Sequence, residues 1–186
     1  VGHLLVGHLL ESGCKVFISD INKPALEAVK AEFSAVEICD SLSLYDKEVD
    51  VFSPNAIGGV VTAGVAHGLK AKILAGGANN PLASESVAHT LHERGILYAP
   101  DFVINAGGVI MVACEIENLS FEEAKRRTEA IYDTTLRVFD YAKTNNYLPW
   151  EAAQKLSIER IQEARRARAQ GGSAPEDDQS RASVIA

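Results

Sequence analysis

The sequence has 186 residues, a formal net charge of −7 and a hydrophobic fraction of 47%, which is enough for a sizeable core. The acidic balance argues against a nucleic-acid partner, and no apolar run reaches the ~20 residues of a membrane span. The three cysteines are widely spaced and odd in number, so we expect neither a disulfide framework nor a zinc cluster, and a cytoplasmic protein. Because the sequence enters an apolar segment directly at Val1, we expect it to be part of a longer protein.

The first residues alternate between helical and extended patterns. Residues 1–12 are apolar and predict a helix that stops at Gly13. The segment KVFISD, residues 15–20, is short and rich in β-branched and aromatic side chains, which predicts a buried strand. Asn22 and Pro24 predict the start of the next helix, because these residue types favour the N-cap and the first turn.

The same alternation continues to residue 118. Further strands are predicted at 36–38, 49–54, 71–77 and 96–99. Further helices are predicted at 58–68 and 84–94 and from Asn105 onward. Short apolar strands that alternate with helices are typical of an α/β fold with a doubly wound, mostly parallel sheet.

After residue 118 the pattern is helical. Ser120 and Glu123 predict a capping box, and apolar residues spaced between 124 and 142 predict one long helix. Pro149 begins another predicted helix. Residues 170–186 lack periodicity, which predicts a disordered tail.

Asp20 is the first candidate for ligand binding, because it ends a predicted strand after a turn that includes Gly2. In a dinucleotide-binding βαβ unit, an acid about 20 residues past the glycine turn binds the adenosine ribose, and its charge disfavours a 2′-phosphate. That pattern favours NAD over NADP. The alternative is an acid that merely caps the next helix. Since only the third glycine of the turn is present, the first strand of the sheet would precede Val1.

Two loops after predicted strands carry glycines and amides. In AGGANNPL, residues 75–82, the glycines allow a ligand close to the backbone, and Asn79 and Asn80 offer partners for a carboxamide. The same Asn-Asn-Pro run favours an ordinary turn, so both interpretations stay open. The loop SPNAIGG, residues 53–59, is a weaker candidate that would lie over a cofactor in a doubly wound sheet.

Asn105 lies just before a predicted helix that opens with Ala106, Gly107 and Gly108. The amino end of a helix supplies unpaired N–H groups and positive potential. Asn105 is therefore either an ordinary N-cap or an amide that points into the cleft at the strand ends. His89 and His92 have the spacing of a metal pair on a helix, but we expect no metal site.

Five segments form a set in a fixed order along the chain: Gly2, FISDIN (17–22), SPNAIGG (53–59), AGGANNPL (75–82) and APDFVINAGGVI (99–110). The set resembles the NAD-dependent amino acid dehydrogenases for leucine, valine and phenylalanine, within the larger glutamate dehydrogenase group. The resemblance runs from Val1 to about residue 165 and points to the leucine/valine branch.

The resemblance implies three regions. Residues 1–118 would form a dinucleotide-binding, Rossmann-type domain that lacks its first strand. Residues 119–169 would form helices that pack on, or link back to, a substrate domain outside this sequence. Residues 170–186 would be the disordered tail.

The resemblance also implies a role for each matching residue. Gly2 matches the last glycine of the phosphate turn, Asp20 the acid on the ribose, and Ile21 a contact to the adenine. Asn105 matches an asparagine near the nicotinamide and the substrate. Two loops complete the expected NAD site: Ser53, Pro54, Asn55 and Ala56 where the chain passes the cofactor, and Ala75, Gly77, Ala78 and Asn79 near the nicotinamide.

The catalytic lysine and aspartate of that family belong to an N-terminal substrate domain that has no counterpart here. We therefore expect no catalytic residue in this chain and no turnover by it alone. For the full-length protein, the resemblance implies a homo-oligomer that oxidatively deaminates a branched-chain L-amino acid to a 2-oxo acid and ammonia. The alternatives are a phenylalanine- or tryptophan-directed dehydrogenase and a non-catalytic NAD-binding or oligomerisation module.

Overall fold

A computed structural model describes residues 1–169, which divide into two compact units. One unit is Val1–Ile96, and the other begins at Leu97. The predicted tail at 170–186 lies outside the described residues. The boundary predicted after residue 118 separates a cofactor domain from linking helices, which is a functional division. The division after Ile96 concerns packing and does not test it, so the functional boundary stays a prediction.

The first unit alternates helices and strands in the predicted order. Its helices are α1 (Gly2–Glu11), α2 (Lys23–Glu32), α3 (Ala63–Gly68) and α4 (Ser86–Glu93). Its strands are β1 (Phe17–Ile18), β2 (Glu37–Ile38), β3 (Val49–Phe52) and β4 (Ala71–Leu74). Most of these elements are shorter than predicted, because the glycines, prolines and polar residues at their ends form turns.

The strands of this unit pair in parallel across connecting helices. β1 pairs with β2, with Ile18 opposite Ile38, and β3 pairs with β4, with Val51 opposite Ile73. Parallel pairs joined by a helix confirm the predicted α/β class. The two pairs belong to different sheets.

A small apolar cluster packs α1 and α2 around the ends of β1 and β2. Its buried members are Val6, Val16 and Val36. Partly buried side chains surround them: Leu9, Leu10, Ile18, Val29 and Phe33. The cluster packs α1 and α2 against the β1–β2 pair, near which several candidate residues lie.

The helix predicted at 58–68 is wrong in its first half. α3 begins only after Thr62, whose side chain accepts a hydrogen bond from the N–H of Val65 at 3.2 Å. Gly59 has a φ of +72°, a left-handed conformation that ends a regular helix. The glycines of 58–59 therefore form a turn rather than helix.

The second unit contains one short strand and five helices among its described residues. They are β5 (Leu97–Tyr98), α5 (Asp101–Ile104), α6 (Gly107–Ile116), α7 (Phe121–Glu129), α8 (Ile131–Asn145) and α9 (Pro149–Ala169). α9 begins at the predicted proline. The helix predicted from Asn105 begins later, at Gly107.

The single long helix predicted across 124–142 is wrong, because the chain breaks at Ala130 into α7 and α8. The two helices bury their apolar faces in different places. Ala124 packs in a cluster with Ile110 and Cys114 of α6. Val138 and Ala142 instead pack against Val103, Ala152 and Ala153. The apolar stripe is therefore divided between two helices, α7 and α8, whose buried residues belong to different clusters.

The predicted capping box forms in part. The Ser120 hydroxyl accepts a hydrogen bond from the N–H of Glu123 at 3.2 Å, as an N-cap should. The Glu123 carboxylate binds Arg126 and Arg127 at 2.6 to 2.9 Å. Hydrogen bonds from these two guanidinium groups lower the pKa of Glu123 to about 2.

Candidate functional site

A cavity of about 300 Å³ opens in the first unit between α1, β1, α2 and the loop after β3. Its lining includes five residues that the sequence analysis placed in a cofactor site: Gly2, Asp20, Ser53, Asn55 and Ala56. Its apolar lining comes from the inner faces of α1, β1 and α2, with side chains such as Leu5, Val6, Leu9, Ile18 and Leu26. A concave, mostly apolar site with a few converging polar groups is typical of small-molecule binding.

Asp20 lies at the end of β1 with an exposed carboxylate at the cavity. Its Oδ1 accepts a hydrogen bond from the N–H of Asn22 at 2.8 Å. Asn22, and not Asp20, is the N-cap of α2, because its Oδ1 accepts from the N–H of Ala25 at 3.2 Å. The alternative of Asp20 as a helix cap is therefore wrong. The neighbouring Ile21 is 96% exposed, so its side chain is available to cover a ligand.

The loop after β3 and the loop after β4 are joined by hydrogen bonds along their length. The N–H of Ala75 donates to Phe52 O at 3.1 Å, and that of Ala78 donates to Pro54 O at 3.0 Å. Further along, the N–H of Gly59 donates to Asn80 O at 2.8 Å. The structure thus brings the SPNAIGG and AGGANNPL segments together as one paired surface.

Two glycines of these loops are required by close packing. A Cβ on Gly76 would overlap Pro54, and one on Gly58 would lie 2.7 Å from the carbonyl oxygen of Asn79. Asn80 has a φ of +48°, so the Asn-Asn-Pro run does form a turn, as one of the two interpretations held. A turn here does not exclude ligand binding, since it also shapes the loop surface.

Four predicted residues of the second loop lie outside the cavity wall. They are Ala75, Gly77, Ala78 and Asn79. The N–H of Gly77 nevertheless donates to Oδ1 of the cavity residue Asn55 at 2.9 Å. The predicted nicotinamide segment is therefore connected directly to the wall of the cavity.

Asn105 lies between two helices of the second unit. Its backbone N–H donates to Asp101 O at 2.9 Å and ends α5, while Ala106 precedes α6 in the N-cap position. The alternative of Asn105 as an ordinary N-cap is therefore wrong. The side chain is half-buried at the junction, and its predicted role beside the substrate stays a prediction.

A buried polar pair that the sequence analysis missed fixes the start of α5. The Tyr98 hydroxyl donates to Oδ1 of Asp101 at 2.6 Å, and both residues are buried. Burial raises the pKa of Tyr98, and the hydrogen bond to Asp101 raises it further. The signal was an acid within the apolar run APDFVI, since a buried carboxylate requires a partner. The pair holds the short helix that ends at Asn105.

His3 is a second residue that the sequence analysis left unassigned. It lines the cavity in the first turn of α1, and its Nε2 lies 2.7 Å from a carboxylate oxygen of Glu32 at the end of α2. Its ring also contacts Phe33 edge-on. These contacts tie α1 to α2.

Neither a metal-binding cluster nor a membrane-spanning helix occurs among residues 1–169. Residues 1–169 contain no group of three or more His, Cys, Asp or Glu side chains placed to hold a metal ion. Over the same residues, no helix combines the length and the apolar character required to cross a lipid bilayer.

Comparison with known proteins assigns a family. The model of the Glutamate/Leucine/Phenylalanine/Valine dehydrogenase family matches residues 15–169. A leucine dehydrogenase from Geobacillus stearothermophilus is 42% identical over 168 residues, covering 90% of this chain and 46% of the relative. A valine dehydrogenase from Streptomyces coelicolor is 41% identical over 167 residues, covering 89% and 46%.

A solved structure agrees with these sequence matches. The L-tryptophan dehydrogenase from Nostoc punctiforme superposes with a TM-score of 0.80 and 37% identity, covering 84% of this chain and 47% of that one. The chain thus spans about half the length of the relatives that it matches. The family model matches most of the chain, and the leucine dehydrogenase is 42% identical over 90% of it. The chain therefore belongs to the Glutamate/Leucine/Phenylalanine/Valine dehydrogenase family.

Proposed function

We propose that this chain is the cofactor-binding part of an NAD-dependent amino acid dehydrogenase. The observation that carries the proposal is the cavity of the first unit, which gathers Gly2, Asp20, Ser53, Asn55 and Ala56 in a chain of this family. When bound, NAD supplies the hydride acceptor for oxidation at the substrate α-carbon. The residues of this chain bind and orient that cofactor.

The amino end of α1 suits a pyrophosphate. Gly2 is the first residue of α1 and lines the cavity, so the first N–H groups of the helix and its positive end favour an anion there. A Cβ on Gly2 would lie 3.4 Å from Cβ of Asn55. The absence of a side chain at Gly2 keeps this approach to the backbone open.

The end of β1 suits an adenosine ribose. The exposed Asp20 carboxylate accepts a hydrogen bond from the backbone N–H of Asn22, which is an uncharged donor. A ribose with free hydroxyls would donate to it, whereas a 2′-phosphate would be repelled. Ile21, adjacent and exposed, would cover the adenine. We therefore propose NAD rather than NADP as the cofactor.

We assign the nicotinamide end to the second loop and to Asn105. Ala75, Gly77, Ala78 and Asn79 would lie near the nicotinamide ring and its ribose, and Asn105 would orient the ring and the substrate. The hydrogen bond from Gly77 to Asn55 supports this assignment, because it connects the second loop to the cavity wall.

The proton chemistry would come from outside this chain. We propose that a lysine and an aspartate on a separate substrate domain activate water and move protons, so that this chain alone does not turn over substrate. Relatives about twice as long support that division. The full-length protein would be a cytoplasmic homo-oligomer.

The preferred substrate is a branched-chain L-amino acid, converted to a 2-oxo acid and ammonia. The matches to leucine and valine dehydrogenases support this choice. A tryptophan- or phenylalanine-directed enzyme is the second candidate, favoured by the likeness to the tryptophan dehydrogenase structure.

A substrate panel on the full-length protein tests these choices. We expect reduction of NAD with leucine and valine and little reduction of NADP, followed as NADH absorbance. Activity confined to phenylalanine or tryptophan would replace the branched-chain proposal. NADH binding without oxidation of any amino acid would favour the non-catalytic module.

A further inference from the structure

Asn55 makes three side-chain hydrogen bonds beside the cavity, and one of them links the two loops. Its Nδ2 donates to the carbonyl and hydroxyl oxygens of Ser53 at 2.9 and 3.0 Å, and its Oδ1 accepts from the N–H of Gly77 at 2.9 Å. The two backbone partners fix the orientation of the amide, since a carbonyl can only accept and an N–H can only donate. Both Nδ2 hydrogens are thus used within the protein.

We infer that Asn55 is a positioning residue, whose amide holds the Gly77 peptide and thereby sets the place of Ala78 and Asn79. This inference rests on the proposed function, because those residues form the proposed nicotinamide segment. Asn55 then acts on the far end of the cofactor site through Gly77. Its side-chain donors do not act on the ligand.

The lack of a side chain at Gly77 agrees with a positioning role for Asn55. A Cβ at Gly77 would lie 2.8 Å from Cγ1 of Val1 and 3.1 Å from Oδ1 of Asn55. Distances this short force a shift of the peptide or of its neighbours. Glycine at 77 and asparagine at 55 therefore form a matched pair, in which the small residue lets the N–H reach the amide oxygen.

The Asn55 link differs in kind from its neighbours. The bonds from Ala75 to Phe52 and from Ala78 to Pro54 join main-chain atoms, which every residue type except proline supplies. The bond to Gly77 depends on a side chain and can be removed by one substitution. Because Asn55 also lines the cavity, a change there alters the loop position without removing the main-chain links.

The test compares Asn55→Ala with Asn55→Asp in the full-length protein. Alanine removes all three hydrogen bonds. We therefore expect kcat at saturating NAD to fall roughly tenfold, because a less well oriented nicotinamide reacts more slowly. The dissociation constant of NADH should change by less than about threefold, since adenosine and pyrophosphate contacts remain. Aspartate keeps an acceptor for Gly77 but sets its second oxygen against the Ser53 carbonyl, so we expect a kcat between those of the wild type and the alanine variant.

Hydrogen exchange at the Gly77 amide separates positioning from general stability. We expect protection of that amide in the wild type and in Asn55→Asp, and loss of protection in Asn55→Ala. Thr62→Ala is the matched control, because it removes another side-chain acceptor from a backbone N–H of the same unit, at 3.2 Å. It should lower Tm without changing kcat.

Four outcomes test the inference and the proposed function. Wild-type kcat in Asn55→Ala would overturn the inference, as would equal losses of kcat in the alanine and aspartate variants. A larger loss of NADH affinity than of kcat in Asn55→Ala would make Asn55 a direct ligand contact instead. If the wild type itself neither binds NADH nor oxidises an amino acid, the proposed function fails, and that result is distinct from any difference among variants.

Discussion

Asp20 accepts a hydrogen bond from the backbone N–H of Asn22 at 2.8 Å, while the Asn22 side chain caps α2. The two polar residues, separated by Ile21, thus perform two different tasks. Asn22 starts the helix, and Asp20 is left at the cavity with its carboxylate exposed. Substitution can therefore separate helix stability from ligand recognition.

Asp20→Ala should weaken NAD binding about tenfold and relax discrimination against NADP, since it removes a charged acceptor for the ribose hydroxyls. Fluorescence titration with NADH and NADPH measures both effects. Asn22→Ala is the control, and it should cost about 1 kcal/mol of stability through the lost cap while keeping the cofactor preference. Unchanged affinities for both cofactors in Asp20→Ala would remove Asp20 from the site.

Asn105→Ala should lower kcat by more than it weakens NADH binding. The backbone hydrogen bond to Asp101 survives the substitution, whereas the amide proposed beside the nicotinamide is lost. Steady-state kinetics and NADH titration give the two numbers. Asn145→Ala, which removes an exposed amide bound to Tyr141 O, should leave both unchanged. Equal losses of kcat and affinity in Asn105→Ala would indicate a structural role.

Gly76→Ala should destabilise the first unit by roughly 1–3 kcal/mol, because the new methyl group would overlap Pro54. Gly68→Ala is a fair comparison, since a Cβ there meets no atom within 4 Å and lies at the end of α3. Urea unfolding of both variants measures the difference. Similar midpoints for the two would show that the loops can separate enough to accept a side chain.

Glu123 should contribute to acid stability. Its pKa is lowered from 4.5 to about 2 by hydrogen bonds from Arg126 and then Arg127. A group with a lower pKa in the folded state stabilises the fold above its unfolded pKa, and this contribution is lost as pH falls from about 4.5 towards about 2. Glu123→Gln should therefore flatten the stability profile across that window. The measurement is the unfolding midpoint of both proteins from pH 2 to pH 6. The same pH dependence in the wild type and the variant would contradict this prediction.

The sequence predicted well those features that depend on local chemistry. Asn22 and Pro24 indicated the start of α2, Gly13 the end of α1, and short apolar runs the parallel strands, because each signal acts within a few residues. Asp20 could be proposed for the same reason, since its position after a strand is a matter of spacing.

The errors concern choices made by packing. The apolar stripe across 124–142 did not show that Ala124 and Val138 face different clusters. The buried pair of Tyr98 and Asp101 was missed because neither residue type signals burial by itself. The role of Asn55 depends on Gly77, which lies far along the chain, and no local pattern connects the two.

The paired loops after β3 and β4 also limit how this chain can change in length. Main-chain donors and acceptors of the two loops meet at several points, from Ala75 with Phe52 to Gly59 with Asn80. An inserted or deleted residue in either loop would move every later donor away from its acceptor, whereas many substitutions would leave main-chain atoms in place. The two loops are therefore expected to accept substitutions more readily than changes in length.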